Sequence, residues 1–293
     1  MSHLVDLSGV WIPLITPFRA NRVDHAALAA LVARLSSQGV AGFVVCATTG
    51  EAPLLSELER LEVLDTIKSA TRLPLIMGAS ATTADEVLRR IDAAMGRAPA
   101  AFLVTPPPYL RPSQDALRTF FLAIAEASPA PIVLYDIPAR TGVRLELATL
   151  LALAAHPRIA GLKDCGGRVD QTEAVIADGR LQVLCGNDNE WFSTRCLGGA
   201  GAIAASAHVR TDLFVAFDAA LARGDLATGR ALWRQLKPIT TGLFEEPSPG
   251  PLKALLSAQG ECENELRAPM TTASAGRVAS LQSLVARLPR AAQ

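Results

Sequence analysis

Tyrosine and lysine are scarce in this 293-residue chain, with two tyrosines and four lysines against 24 arginines. Other absences exclude whole classes of function. No apolar run approaches the ~20 residues a membrane span needs, and the first eight residues hold no basic stretch leading into an apolar core. A soluble, cytoplasmic protein is expected. Acidic and basic residues balance at 28 each with no Lys/Arg run, so neither nucleic acid nor an acidic membrane is an expected partner. The five cysteines (Cys46, Cys165, Cys185, Cys196, Cys262) are odd in number and show no C-x-x-C spacing, which points to reduced thiols and away from disulfides or zinc. Four scattered histidines (His3, His25, His156, His208) form no H-x-x-x-H pair, so no metal is expected.

Half of the residues are hydrophobic, and their arrangement is regular. Short β-rich runs recur at Val10–Thr16, Gly42–Cys46, Leu75–Met77, Ala101–Thr105, Ile132–Tyr135, Ile159–Lys163, Leu181–Cys185 and Ala202–Ala205. Amphipathic stretches separate them. The first begins near Asp24 and carries Leu28, Leu31, Val32 and Leu35 at spacings of three and four. Others open on capping-box signals, Ser56 with Glu59 and Thr83 with Glu86. Alternation of strand and helix implies a parallel sheet, and eight such units predict a (β/α)8 TIM barrel of the α/β class. A doubly wound open sheet is the alternative, but no G-x-G-x-x-G follows the first strand. Beyond Gly224 only helical patterns remain, at Asp225–Leu236, Pro251–Gln259 and Ala273–Leu288, with a Pro-rich connection at 246–251. The expected division is a catalytic barrel over 1–224 and a helical appendage over 225–293.

Lys163 closes the sixth apolar run, so its amine emerges at a strand end. In a barrel the chemistry gathers at the C-terminal ends of the strands. A lysine of ordinary pKa, ~10.4, is protonated at neutral pH and cannot attack a carbonyl. Desolvation lowers that value, so burial is expected to prepare Lys163 as a Schiff-base nucleophile. Taken alone, the plainer reading is a lysine that snorkels outward and pairs with Asp164.

Neighbouring strand ends overturn the plainer reading. The fifth run ends in Tyr135, whose phenol can pass protons. Arg140, five residues on, can grip a carboxylate in a bidentate fork. The second run leads into Thr48-Thr49-Gly50-Glu51, where two hydroxyls and a glycine offer donors in a small space. Taken singly, each has a bland alternative: a helix-leading turn for Thr48–Glu51, a buried tyrosine for Tyr135, a surface ion pair for Arg140. The other tyrosine, Tyr109, follows three prolines after the fourth run, in a loop stiff enough to present it to a pocket or to another subunit. Asp188, after the seventh run, lines the pocket or caps a loop.

In order, the segments Thr16-Pro17-Phe18, Thr48-Thr49-Gly50-Glu51, Tyr135-x-x-Pro138-x-Arg140-Thr141-Gly142, Gly161-Leu162-Lys163-Asp164 and Leu266-Arg267-x-Pro269-Met270 resemble the dihydrodipicolinate synthase and N-acetylneuraminate lyase family of pyruvate-dependent class I aldolases. The resemblance covers nearly the whole chain. It implies that Lys163 forms the Schiff base with pyruvate, Tyr135 relays protons, and Thr48 and Thr49 bind the pyruvate carboxylate and support the relay. It also implies that Tyr109 completes the relay from an adjacent subunit and that Gly50, Arg140, Gly186 and Ile203 bind substrate. Arg140-Thr141-Gly142 resembles the dihydrodipicolinate synthase branch, in which the arginine holds the carboxylate of L-aspartate semialdehyde. A homotetramer built from tight dimers and a reaction without metal or organic cofactor are further implications.

The chain departs from the family pattern at several positions. Asp136 stands where asparagine is usual, Asp164 where glutamate is common, and Ala204 where serine is frequent. Pro108 replaces an aromatic residue. Ala52, Pro53, Glu57 and Arg60 occupy positions that bind feedback lysine in lysine-sensitive members, so lysine inhibition is expected to be weak or absent. Three other readings stand beside this one. They are an aldolase or dehydratase for another 2-oxo acid, such as 2-keto-3-deoxygluconate or 4-hydroxy-2-oxoglutarate; a catalytically silent 2-oxo-acid binding protein; and a dinucleotide enzyme, which lacks its glycine fingerprint.

Overall fold

The structure, a computed structural model, describes residues 5–289, so His3 lies outside the described residues. Eight parallel strands form a closed barrel: β1 Gly9–Pro13, β2 Gly42–Val45, β3 Leu75–Gly78, β4 Ala101–Val104, β5 Ile132–Asp136, β6 Ile159–Asp164, β7 Gln182–Cys185 and β8 Gly201–Ile203. A helix separates each pair of successive strands, as the alternation predicted. Each strand falls on one of the eight predicted runs. The runs are apolar throughout because a parallel barrel buries both faces of its strands, and every residue of β6 is buried.

Helix starts follow the expected chemistry. Asp24 caps the helix His25–Ser36, and its side chain accepts the Ala27 N–H. Ser56 and Glu59 complete a reciprocal capping box on the helix Glu57–Ala70. Thr83 accepts the Glu86 N–H, but the Glu86 carboxylate turns toward the Thr82 hydroxyl. The sequence reading missed the antiparallel pair Phe18–Arg19 and Arg22–Val23. Two residues per strand are too few to show alternation, and the turn between them is made by Ala20 and Asn21 with φ of 51° and 62°, the conformation of a tight hairpin turn.

The chain forms two compact units. The first comprises the N-terminal segment through Gly9 with Pro74–Ile203. It pairs β3 through β8 in parallel, with one register shift between β5 and β6 at Ile132/Val133. A close approach requires glycine at 201, where a Cβ would lie 2.0 Å from the Gly9 carbonyl oxygen.

The second unit comprises Val10–Leu73 with the chain from Ala204 onward. It pairs β1 with β2 and holds the helices Leu226–Gly242, Gly250–Ala258 and Ala275–Ala286. The first of these runs through Pro238 and ends six residues past the predicted Leu236. Its neighbours Leu236, Ile239 and Thr240 are buried, so packing holds the helix where the proline removes a donor.

Candidate active site

Parallel register places Tyr135 opposite Lys163, and Asp136 opposite Asp164, at the C-terminal ends of β5 and β6. Because strand side chains alternate, the two pairs lie on opposite faces of the pleat. Lys163 and Tyr135 are both buried, and the lysine Nζ lies 4.1 Å from the centroid of the tyrosine ring. Asp164 does not pair with the lysine. Its Oδ1 accepts the Gly166 N–H at 2.8 Å and its Oδ2 accepts the Thr172 hydroxyl at 2.5 Å.

The electrostatics of Lys163 correct the sequence expectation. Burial is the largest influence and pushes the amine's pKa down, as anticipated. Electrostatic interaction with Tyr135 and then with Cys165, a hydrogen bond with Tyr135 and the Asp188 carboxylate together outweigh it, and the net direction is upward. At rest the amine is an ammonium held by its neighbours. An ammonium must hand on a proton before it can attack a carbonyl, and the group hydrogen-bonded to it is the Tyr135 phenol. The Cys165 thiol is pushed up to about 12, chiefly by burial, and stays neutral.

Gly186 follows β7 and donates its N–H to the Asp164 carbonyl at 2.8 Å. A Cβ there would lie 2.5 Å from the Cys165 Sγ and 2.8 Å from the Lys163 Cγ. Only the absence of a side chain leaves room for the lysine stem. Asp188, one of the groups that hold the lysine's proton, is buried in the short turn that follows. That favours the pocket-lining reading of this residue. Cys165 belongs to the same cluster and was not singled out from the sequence; the available signal was its i+2 spacing from Lys163, which returns a strand to the same face.

On the other face of the pleat, Asp136 is fully buried. Its Oδ1 accepts the Leu145 N–H at 3.1 Å, and its Oδ2 has no hydrogen-bond partner. Burial, foremost, and the Asp164 charge push this carboxyl up to about 7, against the Leu145 N–H and Arg144.

Arg140 is exposed on the four-residue helix Pro138–Thr141, which ends at Gly142 with φ of 75°. The Arg111 side chain holds this turn by donating to the Gly142 carbonyl at 3.0 Å. Tyr109, on the same loop as Arg111, is 92% exposed with φ of 72°, at the surface rather than packed against Lys163. Ile203 is buried at the end of β8. Thr48, Thr49 and Gly50 belong to the second compact unit, in the turn after β2, with Thr49 buried and Thr48 half-buried. The first unit thus brings Lys163, Tyr135 and Gly186 together; Tyr109 and Arg140 stand at its surface.

Among the described residues no group of three His, Cys, Asp or Glu side chains could hold a metal ion, and no helix is long and apolar enough to cross a membrane.

The Dihydrodipicolinate synthetase family model matches residues 6–288. The 4-hydroxy-tetrahydrodipicolinate synthase of Hyphomonas neptunium is 39% identical over 279 residues, covering 93% of this chain and 95% of that protein. Dihydrodipicolinate synthase of Thermotoga maritima superposes with a TM-score of 0.94 at 30% identity, covering 96% of this chain and 98% of its own. The chloride-inhibited dihydrodipicolinate synthase of Acinetobacter baumannii, solved in complex with pyruvate, superposes with a TM-score of 0.93 at 30% identity over the same shares of the two chains.

Proposed function

Because the chain belongs to the dihydrodipicolinate synthetase family, we propose that it is a 4-hydroxy-tetrahydrodipicolinate synthase, joining pyruvate to L-aspartate 4-semialdehyde through a Schiff base on Lys163. The observation that carries this reading is the buried lysine amine over the Tyr135 ring, with the phenol hydrogen-bonded to it.

The reaction starts with loss of a proton from the Lys163 ammonium to the Tyr135 relay. The neutral amine adds to the ketone of pyruvate, water leaves, and an iminium forms. The iminium draws electrons from the adjacent methyl group, which gives up a proton to the same relay. The resulting enamine adds through carbon to the aldehyde of the second substrate. The amino group of that substrate then attacks the iminium carbon, closing the ring and releasing Lys163 as its amine. No step calls for a metal or organic cofactor.

Thr48 and Thr49, with the Gly50 backbone, take the pyruvate carboxylate, and Arg140 takes the carboxylate of the aldehyde. Gly186 and Ile203 line the substrate space. The exposure of Tyr109 suits a phenol that completes the relay of an adjacent subunit, in a homotetramer of two dimers. A cytoplasmic location, a catalytic barrel over 1–224 and a helical appendage over 225–293 complete the reading.

The test is borohydride reduction in the presence of pyruvate, followed by measurement of the rate with L-aspartate semialdehyde. The expected results are a stable pyruvyl adduct on Lys163 and a kcat of roughly 1 to 10³ per second. Without an adduct on Lys163 the scheme fails. An adduct combined with a negligible rate would shift the assignment to another aldehyde.

A further inference from the structure

The turn that carries Thr48 and Thr49 is bracketed by two non-glycine residues in the left-handed region, Cys46 at φ 51° and Glu51 at φ 53°. Such residues are strained and persist only where the surroundings over-determine them. Backbone bonds close the turn internally: Gly50 and Ala52 donate to the Ala47 carbonyl, and Glu51 to the Thr48 carbonyl. The Ala52 and Glu51 bonds together are the pair that closes a turn on a left-handed residue, here Glu51, and the Glu51 side chain is held in addition from far along the chain. The Lys253 Nζ donates to the Glu51 Oε1 at 2.5 Å, and the Arg267 N–H donates to the Oε2 at 3.1 Å.

Both members of the ion pair are buried, Lys253 at 0% exposure and Glu51 at 3%. A second Lys253 donor goes to the Glu265 carbonyl at 2.8 Å. The Phe18 ring packs against both cations, 4.2 Å from the Lys253 nitrogen and 4.6 Å from the Arg267 guanidinium. The Thr16 hydroxyl donates to the Gly50 carbonyl at 2.8 Å. Arg267 also reaches the Glu59 carboxylate and the Leu54 carbonyl on either side of the capping Ser56. One knot thus ties the hydroxyl turn to Thr16–Phe18 and to the segment 265–267, two motifs that the proposed chemistry does not itself use.

We propose that Glu51 and Lys253 are a positioning pair: the buried ion pair anchors the Glu51 end of the turn to the C-terminal segment and thereby sets the aim of Thr48 and Thr49 at the pyruvate carboxylate. The helical C-terminal region in this way contributes to pyruvate binding without touching it. A buried ion pair is weak grounds for stability, since a well-packed apolar pair often serves as well; what it supplies here is a defined geometry. The inference rests on the proposed function for the role of the two threonines.

The test compares Lys253→Met with the double variant Glu51→Met/Lys253→Met, reading Tm and the pyruvate concentration that half-saturates borohydride labelling of Lys163. The single variant strands a buried carboxylate and is expected to lose Tm. The double variant is expected to regain most of it, yet to need at least about tenfold more pyruvate, the scale of penalty that misplacement by an ångström brings. Half-saturation within twofold of wild type in a double variant of restored Tm would overturn the pair's positioning role.

Thr16→Val decides the matter if the double variant does not recover its Tm. It removes the hydroxyl that holds Gly50 and leaves every charge paired, and is expected to raise half-saturation at least about threefold; an unchanged value would overturn the inference. Wild-type protein that pyruvate does not label would instead sink the proposed function, so the two failures are distinguishable.

Discussion

Lys163 and Tyr135 are register partners on adjacent parallel strands, and the amine lies over the phenol ring, 4.1 Å from its centroid. Strand pairing alone therefore delivers the proposed nucleophile and the proposed proton carrier to one side of the pleat, without help from any loop. The phenol also raises the lysine's pKa, so the two side chains are electrostatically coupled.

Tyr135→Phe removes the proposed relay and two of the influences that oppose burial in holding the lysine's proton. Turnover is expected to fall by about 10² to 10⁴, with Tm within a few degrees of wild type. The lysine's pKa should drop, so the pH dependence of pyruvate labelling at Lys163 shifts to lower pH. Steady-state kinetics and a pH series of borohydride trapping check both outcomes.

Gly186→Ala places a methyl group 2.5 Å from the Cys165 Sγ and 2.8 Å from the Lys163 Cγ. The lysine stem must move. We expect kcat/KM for pyruvate to fall by at least about tenfold, with a modest loss of Tm from overpacking. Equal kinetics in mutant and wild type would show that the stem has room the structure does not.

Asp136 titrates near 7 in the fold and near ~3.9 in an unfolded chain. A raised carboxyl pKa means that the folded state keeps a proton the unfolded state has lost. As pH rises from about 4 to about 7 the fold therefore loses stability, and the loss is complete above that window. Asp136→Asn retains an oxygen for the Leu145 N–H and never ionises. Its stability advantage over wild type should be small at pH 4 and grow to a plateau above pH 7, on the order of 1–4 kcal/mol there. Thermal melts across that range decide it, and an advantage that shrinks with rising pH would contradict the assignment.

Lysine is expected to inhibit weakly or not at all. Arg60 is buried with its guanidinium spent internally, on the Ala52 carbonyl at 3.4 Å and the Glu57 carboxylate at 3.6 Å. Initial rates should hold with L-lysine up to about 1 mM, near the top of the usual ligand range; half-inhibition below that would refute it.

What the sequence determined by itself is the barrel and the linear order of its chemistry. Eight apolar runs separated by helical periodicity are readable because burial on both faces imposes composition residue by residue. Scarcity marked Lys163 and Tyr135, since a lysine or tyrosine at a strand end stands out in a chain with so few. Tertiary structure alone decided the direction in which the lysine's pKa moves. Its pKa depends on Tyr135, Cys165 and Asp188, which lie within 30 positions of it in sequence yet reach it only through strand register and the turn after β7. The tie between Glu51 and Lys253, 202 positions apart, was likewise invisible, because electrostatic energy falls with distance in space and no local pattern encodes that distance.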